Sequence, residues 1–233
     1  MAVNAIVLDP DALAQAAAQH LARRIQVAAA ENPARVTLAL SGGRGPRPVF
    51  ERLSAIPGLP WPTVEVFFAD ERAVPPDHPE SNFHLVQDAL VSRLSSPPRA
   101  VHRMAADAPS LEEAAHSYAL GLPPALDILV LGIGDDGHTA SLFPGHEAVL
   151  EEQRLVVPAV GPMPPHQRLT ITPPVIRAAR VLIMLAAGAG KASAIARACE
   201  GPDDLLSVPA QLARRGTWIM DRDAASQLRH VPS

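Results

Sequence analysis

Four short stretches of the chain are apolar at almost every position: VTLAL (36–40), TVEVFF (63–68), LDILVL (126–131) and VLIMLAA (181–187). Runs of this length without polar alternation predict strands buried on both faces, as in a parallel sheet covered by helices. Between them the pattern changes. DALAQAAAQHLARRIQVAAA (11–30) is rich in helix formers, opens behind Asp9-Pro10 and stops at Asn32-Pro33, and so predicts a long first helix. Shorter helices are predicted from Pro48 to Ala55, over SNFHLVQDALVSRL with Ser81 as its cap, near SLEEAAHSYAL, from Pro173-Pro174 to Ala179, and over KASAIARACE. RLVVPAV, RLTIT, TWIM (217–220) and a piece near VHRM read as short strands, and QLARR as helical. The predicted fold class is α/β: a three-layer, mostly parallel, Rossmann-like sheet with helices on both faces.

In such a sheet ligands bind beyond the carboxyl ends of the strands. That rule selects four polar loops: SGGRGP after VTLAL, ADER after TVEVFF, GDDGH after LDILVLGI, and GAGK after VLIMLAA.

Composition narrows the picture further. The 25 prolines cluster between the patterned segments as rigid loops. No Gly/Ser linker, charge block or repeat divides the chain, so residues 1–233 are expected to form a single α/β domain. A net charge of −4 without any basic cluster argues against a nucleic-acid partner. The lone Cys199 excludes an internal disulfide. No basic leader precedes the first apolar residues, and no apolar run approaches membrane-spanning length. The expectation is a soluble cytoplasmic protein with a small-molecule substrate and no membrane contact.

Each loop then has its own chemistry. Gly132, Gly134 and Gly137 match G-x-G-x-x-G, but Asp135 and Asp136 stand where a pyrophosphate would be repelled, and Pro144-Gly145 cuts short any following helix. A dinucleotide loop is therefore disfavoured. A Walker loop is excluded, because Leu185 occupies the glycine position it would need before Gly190-Lys191. SGGRGP suits an anion better: Gly42 and Gly43 let backbone N–H groups converge, Ser41 and Arg44 add donors, and a helix follows. It also reads as a plain strand-to-helix turn. Asp70 and Arg72 in ADER are either an ordinary surface ion pair or part of a site. His138 has the residue type of a general base, and equally of a structural histidine satisfying loop carbonyls. Arg168 and Lys191 bring cations to two further loops without any motif of their own. The histidines show no metal-ligand spacing, so neither a metal nor another cofactor is expected. There is no G-x-S-x-G elbow to support a serine hydrolase.

Taken together the loops resemble the 6-phosphogluconolactonase family, within a superfamily that also holds glucosamine-6-phosphate deaminases. SGGRGP is similar to the family's SGG-S/T-x-P loop, ADERAVPPDHPESNF to its D-E-R-x-V-P…S-N segment, and GIGDDGHTASLFPG to its G-x-G-x-D-G-H-T-A-S-L-F-P-G signature. RLTITPPVIRAAR and GAGK continue in the family's order. The chain departs from the pattern at Arg44-Gly45, where the family carries a small hydroxyl pair. Deaminases instead resemble D-E-Y and D-G-H-I-A-F-N-E-P in the second and third loops, so both choices here favour the lactonase. The resemblance implies hydrolysis of 6-phosphoglucono-1,5-lactone to 6-phosphogluconate without a cofactor. It implies that His138 activates water and that Asp70 and Arg72 line the site near the sugar, Arg72 facing developing negative charge. It further implies that Ser41, Gly42, Gly43, Arg44, Arg168 and Lys191 hold the phosphate. The alternatives it leaves are a glucosamine-6-phosphate deaminase/isomerase and a non-catalytic sugar-phosphate sensor.

Overall fold

The computed structural model of the chain describes residues 3–43 and 45–230. Its first half runs β1 (Asn4–Leu8), α1 (Pro10–Glu31), β2 (Val36–Leu40), α2 (Pro46–Ser54), β3 (Val64–Phe68), β4 (Asp70–Arg72), α3 (Asn82–Ala89), β5 (Ala100–Val101) and α4 (Leu111–Gly121). The second half runs β6 (Ile128–Gly132), β7 (Val156–Val160), β8 (Gln167–Ile171), α5 (Pro173–Ala178), β9 (Val181–Ala186), α6 (Ala192–Glu200) and β10 (Thr217–Asp221).

Seven strands form one sheet in the order β1-β10-β9-β6-β2-β3-β5, and every neighbouring pair is parallel. Successive strand side chains point to opposite faces. Because every residue of β2 and of β3 is buried, both faces of the sheet are covered there, as the apolar runs require. Helices α1, α2 and α3 lie side by side, α1 also touching β2 and β10.

The chain begins this sheet at the far edge, crosses to β2 in the middle, builds β3 and β5 to one side, and returns to β6, β9 and β10 on the other. The order therefore reverses between β2 and β6, and the crevice between their carboxyl ends is where such sheets bind ligands. The loops after β2 and β6 are SGGRGP and GDDGH.

A second sheet of three antiparallel strands, β4-β8-β7, stands beside the first. Here the structure departs from the sequence expectation, which placed ADER in a loop. Asp70, Glu71 and Arg72 form β4, opposite Thr170, Leu169 and Arg168 of β8. Strand alternation sends Glu71 away from its neighbours. Its buried carboxylate accepts hydrogen bonds from the backbone N–H of Arg72, Asn82 and Phe83 at 2.7–2.8 Å and from Ser81 Oγ at 3.0 Å. Burial pushes this carboxyl upward while the backbone donors pull it back. Glu71 thus anchors the start of α3, whose cap is Ser81 as expected, its Oγ accepting from His84 N at 3.2 Å.

Other boundaries shift modestly. Helix α2 starts at Pro46 rather than Pro48, since proline is tolerated in a first turn. QLARR lies in a 3-10 turn, Pro209–Ala213, and β1 is an edge strand the sequence reading did not predict. Among the described residues no helix is long and apolar enough to cross a membrane.

Candidate active site

A cavity of about 370 Å³ opens over the carboxyl ends of β9, β6, β2 and β3, four strands adjacent in the sheet. Every candidate residue within the described part of the chain lines it: Ser41, Gly42, Gly43, Asp70, Arg72, His138, Arg168 and Lys191. Arg44 lies outside the described residues. For ADER and His138, neither a surface ion pair nor a carbonyl-satisfying ring describes Asp70 or the imidazole. Asp70 is buried in the cavity wall, and the His138 ring bonds a carboxylate.

One wall is the loop after β6. Asp136 Oδ1 accepts a hydrogen bond from His138 Nδ1 at 2.6 Å and from the His138 backbone N–H at 3.0 Å. Burial works to raise the Asp136 carboxyl, but these hydrogen bonds outweigh it and hold the group at about 2. An ionised carboxylate is acceptor-only, so Nδ1 carries the proton and Nε2 is left as the lone-pair nitrogen. The ring leans on Phe143, with centroids 4.7 Å apart.

The backbone around this pair is tied at many points. Gly134 N–H donates to His138 O at 2.9 Å, Thr139 Oγ1 donates to Gly132 O at 2.8 Å, and Arg197 Nη2 donates to Asp136 O at 3.0 Å. Gly134 is required by closeness: a Cβ there would sit 2.0 Å from His138 Nδ1 and 2.5 Å from Asp136 Oδ1. Ala140 takes a left-handed φ of 48°, uncommon for alanine, at the sharp corner between His138 and Ser141.

The same cavity also carries cations. Arg72 and Arg168 occupy directly opposed positions on β4 and β8. Like charges so placed repel unless an anion lies between or beside them. Burial, then the neighbouring Arg72, lowers the Arg168 guanidinium from its ordinary value. Arg168 donates to two backbone carbonyls, Nε to Pro165 O at 2.8 Å and Nη2 to Met163 O at 3.3 Å. Arg72 Nη1 donates to Glu80 O at 2.6 Å, with the Glu80 carboxylate 3.6 Å away. Lys191 Nζ lies 2.5 Å from Asp135 Oδ1.

Asp70 is held on both oxygens. Oδ2 accepts from Ser141 Oγ at 2.7 Å, and Oδ1 accepts from Asn82 Nδ2 at 3.1 Å. Asn82 also donates to Asp70 O at 2.8 Å. Its remaining oxygen presses on Gly42, where a Cβ would lie 1.8 Å from Oδ1, so only glycine fits there. Asn82 Oδ1, Ser41 Oγ and Arg72 Nε are buried without a hydrogen-bond partner among the described residues, and all three belong to residues lining this cavity. Unpaired buried polar groups carry a cost of about 1–3 kcal/mol each, which a polar ligand can relieve.

Sequence reasoning did not assign Asp136, Asn82 or Ser141 to the site. Asp136 had a signal, its place two residues before His138, but GDDGH offers two aspartates and no means of choosing between them. Ser141 and Asn82 act through Asp70, from 71 and 12 residues away. Among the described residues no group of three or more His, Cys, Asp or Glu side chains converges as a metal site.

Known proteins place this geometry in context. The glucosamine-6-phosphate isomerases/6-phosphogluconolactonase family matches residues 8–220. A 6-phosphogluconolactonase of Streptomyces coelicolor is 38% identical, the match covering 94% of this chain and 92% of that protein. The human 6-phosphogluconolactonase is also 38% identical, over 94% of this chain and 91% of its own. The crystal structure of a 6-phosphogluconolactonase from Shewanella baltica superposes with a TM-score of 0.83 at 31% identity, over 94% of this chain and 97% of that one. This chain belongs to the glucosamine-6-phosphate isomerase/6-phosphogluconolactonase family.

Proposed function

We propose that this chain hydrolyses 6-phosphoglucono-1,5-lactone to 6-phosphogluconate. The observation that carries the reading is the Asp136–His138 pair in a cavity that Arg72, Arg168 and Lys191 also line. A base and an anion site in one cavity suit an electrophile that carries its own phosphate. The relatives named 6-phosphogluconolactonase at 38% identity over nearly the whole chain support the same substrate. The strands nearest the two ends of the chain, β1 and β10, pair with each other, which supports one domain over residues 1–233. A single cysteine, buried, suits the reducing cytoplasm.

In this mechanism the phosphate docks on Arg168, Lys191 and the Ser41-Gly42-Gly43 turn, with Arg44 as a further donor. Docking fixes the lactone carbonyl near His138 and makes attack effectively unimolecular. His138 Nε2 takes a proton from water as its oxygen attacks the carbonyl carbon, and Asp136 stabilises the imidazolium that forms. Negative charge moves to the carbonyl oxygen, with Arg72 as the group facing it. The tetrahedral species collapses, the ring C–O bond breaks, and His138 returns the proton to the departing ring oxygen. Asp70, fixed by Ser141 and Asn82, accepts from sugar hydroxyls. A lactone is an activated ester, so no covalent enzyme intermediate is needed.

The test is the loss of freshly generated 6-phosphogluconolactone, corrected for spontaneous hydrolysis. Acceleration by the enzyme is expected. Ammonia release from glucosamine 6-phosphate would point to the deaminase instead, and tight 6-phosphogluconate binding without acceleration would point to a sensor.

A further inference from the structure

The cations of the cavity are not equivalent. Arg168 has no carboxylate within 4 Å among the described residues, and Arg72 has only Glu80 at 3.6 Å. Among the described residues Lys191 alone is gripped by a carboxylate at hydrogen-bond distance, with Asp135 Oδ1 2.5 Å from Nζ. The grip joins two strand-end loops: Asp135 sits between Gly134 and Asp136 after β6, and Lys191 follows β9. Gly190 faces the same carboxylate, since a Cβ there would lie 3.7–3.8 Å from its atoms. The pair sits at the cavity rim. The Asp135 side chain is 71% exposed and the Lys191 side chain 30%. Asp135 is thus free to turn to water, whereas Lys191 remains part of the wall.

We infer that Asp135 is a built-in counter-ion that competes with the substrate's phosphate for Lys191 and so sets the enzyme's affinity for phosphorylated ligands. This rests on the proposed phosphate site. The carboxylate occupies one donor of the ammonium, and its charge opposes any anion drawn to the same nitrogen. A phosphate entering the cavity must share Lys191 or displace Asp135, while Arg168 has no competing carboxylate among the described residues. The opposition grows during the reaction. Ring opening converts a neutral lactone into a carboxylate, so the product carries one more negative charge than the substrate. A rim carboxylate therefore disfavours product more than substrate and helps to clear the site. The two adjacent aspartates of GDDGH divide the labour: Asp136 serves the histidine and Asp135 tempers the lysine.

The test measures binding of inorganic phosphate and of 6-phosphogluconate by calorimetry to the wild type, Asp135→Asn, Lys191→Met and the double variant, alongside KM for the lactone. Asp135→Asn should tighten both ligands by about three- to tenfold, as expected for removing one like charge in a partly solvated site. KM should fall by a similar factor. In the Lys191→Met background the same substitution should change affinity by less than about twofold, because the competition has lost its object. Unchanged or weaker phosphate binding in Asp135→Asn would overturn the inference, showing that the carboxylate orients Lys191 rather than competing for it. So would an equal gain without Lys191. The function is tested separately: if phosphate affinity responds as stated but the wild type does not speed lactone loss, the counter-ion stands and the lactonase reading falls.

Discussion

The two walls of the cavity are finished to different degrees. In the loop after β6, Asp136, His138, Thr139 and the backbone of Gly134 all have protein partners. Elsewhere in the lining, Arg72 and Arg168 stand as opposed cations, and Ser41 Oγ, Arg72 Nε and Asn82 Oδ1 are buried without partners among the described residues. The first wall is complete by itself, as befits a base whose lone pair must be aimed before substrate arrives. The second is completed by an anionic, hydroxylated ligand. Chemistry and anchoring are thereby separated, and kinetics should separate them too.

The largest expected effect strikes the finished wall. His138→Asn keeps a polar side chain but removes the imidazole, and kcat should drop by about 10²–10⁴, the usual share of a positioned base. Asp136, held at about 2, stays ionised and keeps accepting from Nδ1 down to strongly acidic pH, so its own protonation does not limit kcat above that range. Steady-state kinetics of the two enzymes checks the drop.

Gly134→Ala attacks the same wall without touching its chemistry. The added methyl overlaps the His138 ring and the Asp136 carboxylate, so the pair must separate. Misplacing a catalytic group by about 1 Å can cost on the order of 10² in rate. Turnover should drop by that order while phosphate affinity holds, and calorimetry with inorganic phosphate distinguishes the two.

Arg168→Ala strikes the unfinished wall. A charge-assisted contact contributes about 1.5–3 kcal/mol, so KM should rise roughly tenfold to a hundredfold with kcat little changed. Lys191→Met should raise KM less, because Asp135 already engages that ammonium. Steady-state kinetics of the two variants side by side tests the ranking, and a larger effect at Lys191 would reverse it.

The same contrast runs through what the sequence reveals. Strands β2, β3, β6 and β9 are legible because burial on both faces demands apolar residues at every position, and the four loops beyond them follow from the fold rule alone. Strand β4 is not legible: three polar residues become a strand only because β8 lies beside them. Edge strand β1 pairs on one side only, with β10, and its partly exposed NAIVL carries a weaker signal. Within the site, residue types announced His138, Arg168 and Lys191, whereas partnership did not announce itself. That Asp136 and not Asp135 meets the imidazole depends on the turn through Gly137, with its φ of 97°. That Ser141 fixes Asp70 depends on the corner at Ala140 and on the small sheet's position.

The most direct test of the account runs the wild-type enzyme on two lactones in parallel, 6-phosphogluconolactone and the same gluconolactone without phosphate, each corrected for spontaneous hydrolysis. The account predicts rapid loss of the phosphorylated lactone and a kcat/KM lower by about 10² or more for the other, since at least two charge-assisted contacts are forfeited. Equal turnover of both, or acceleration of neither, would contradict it.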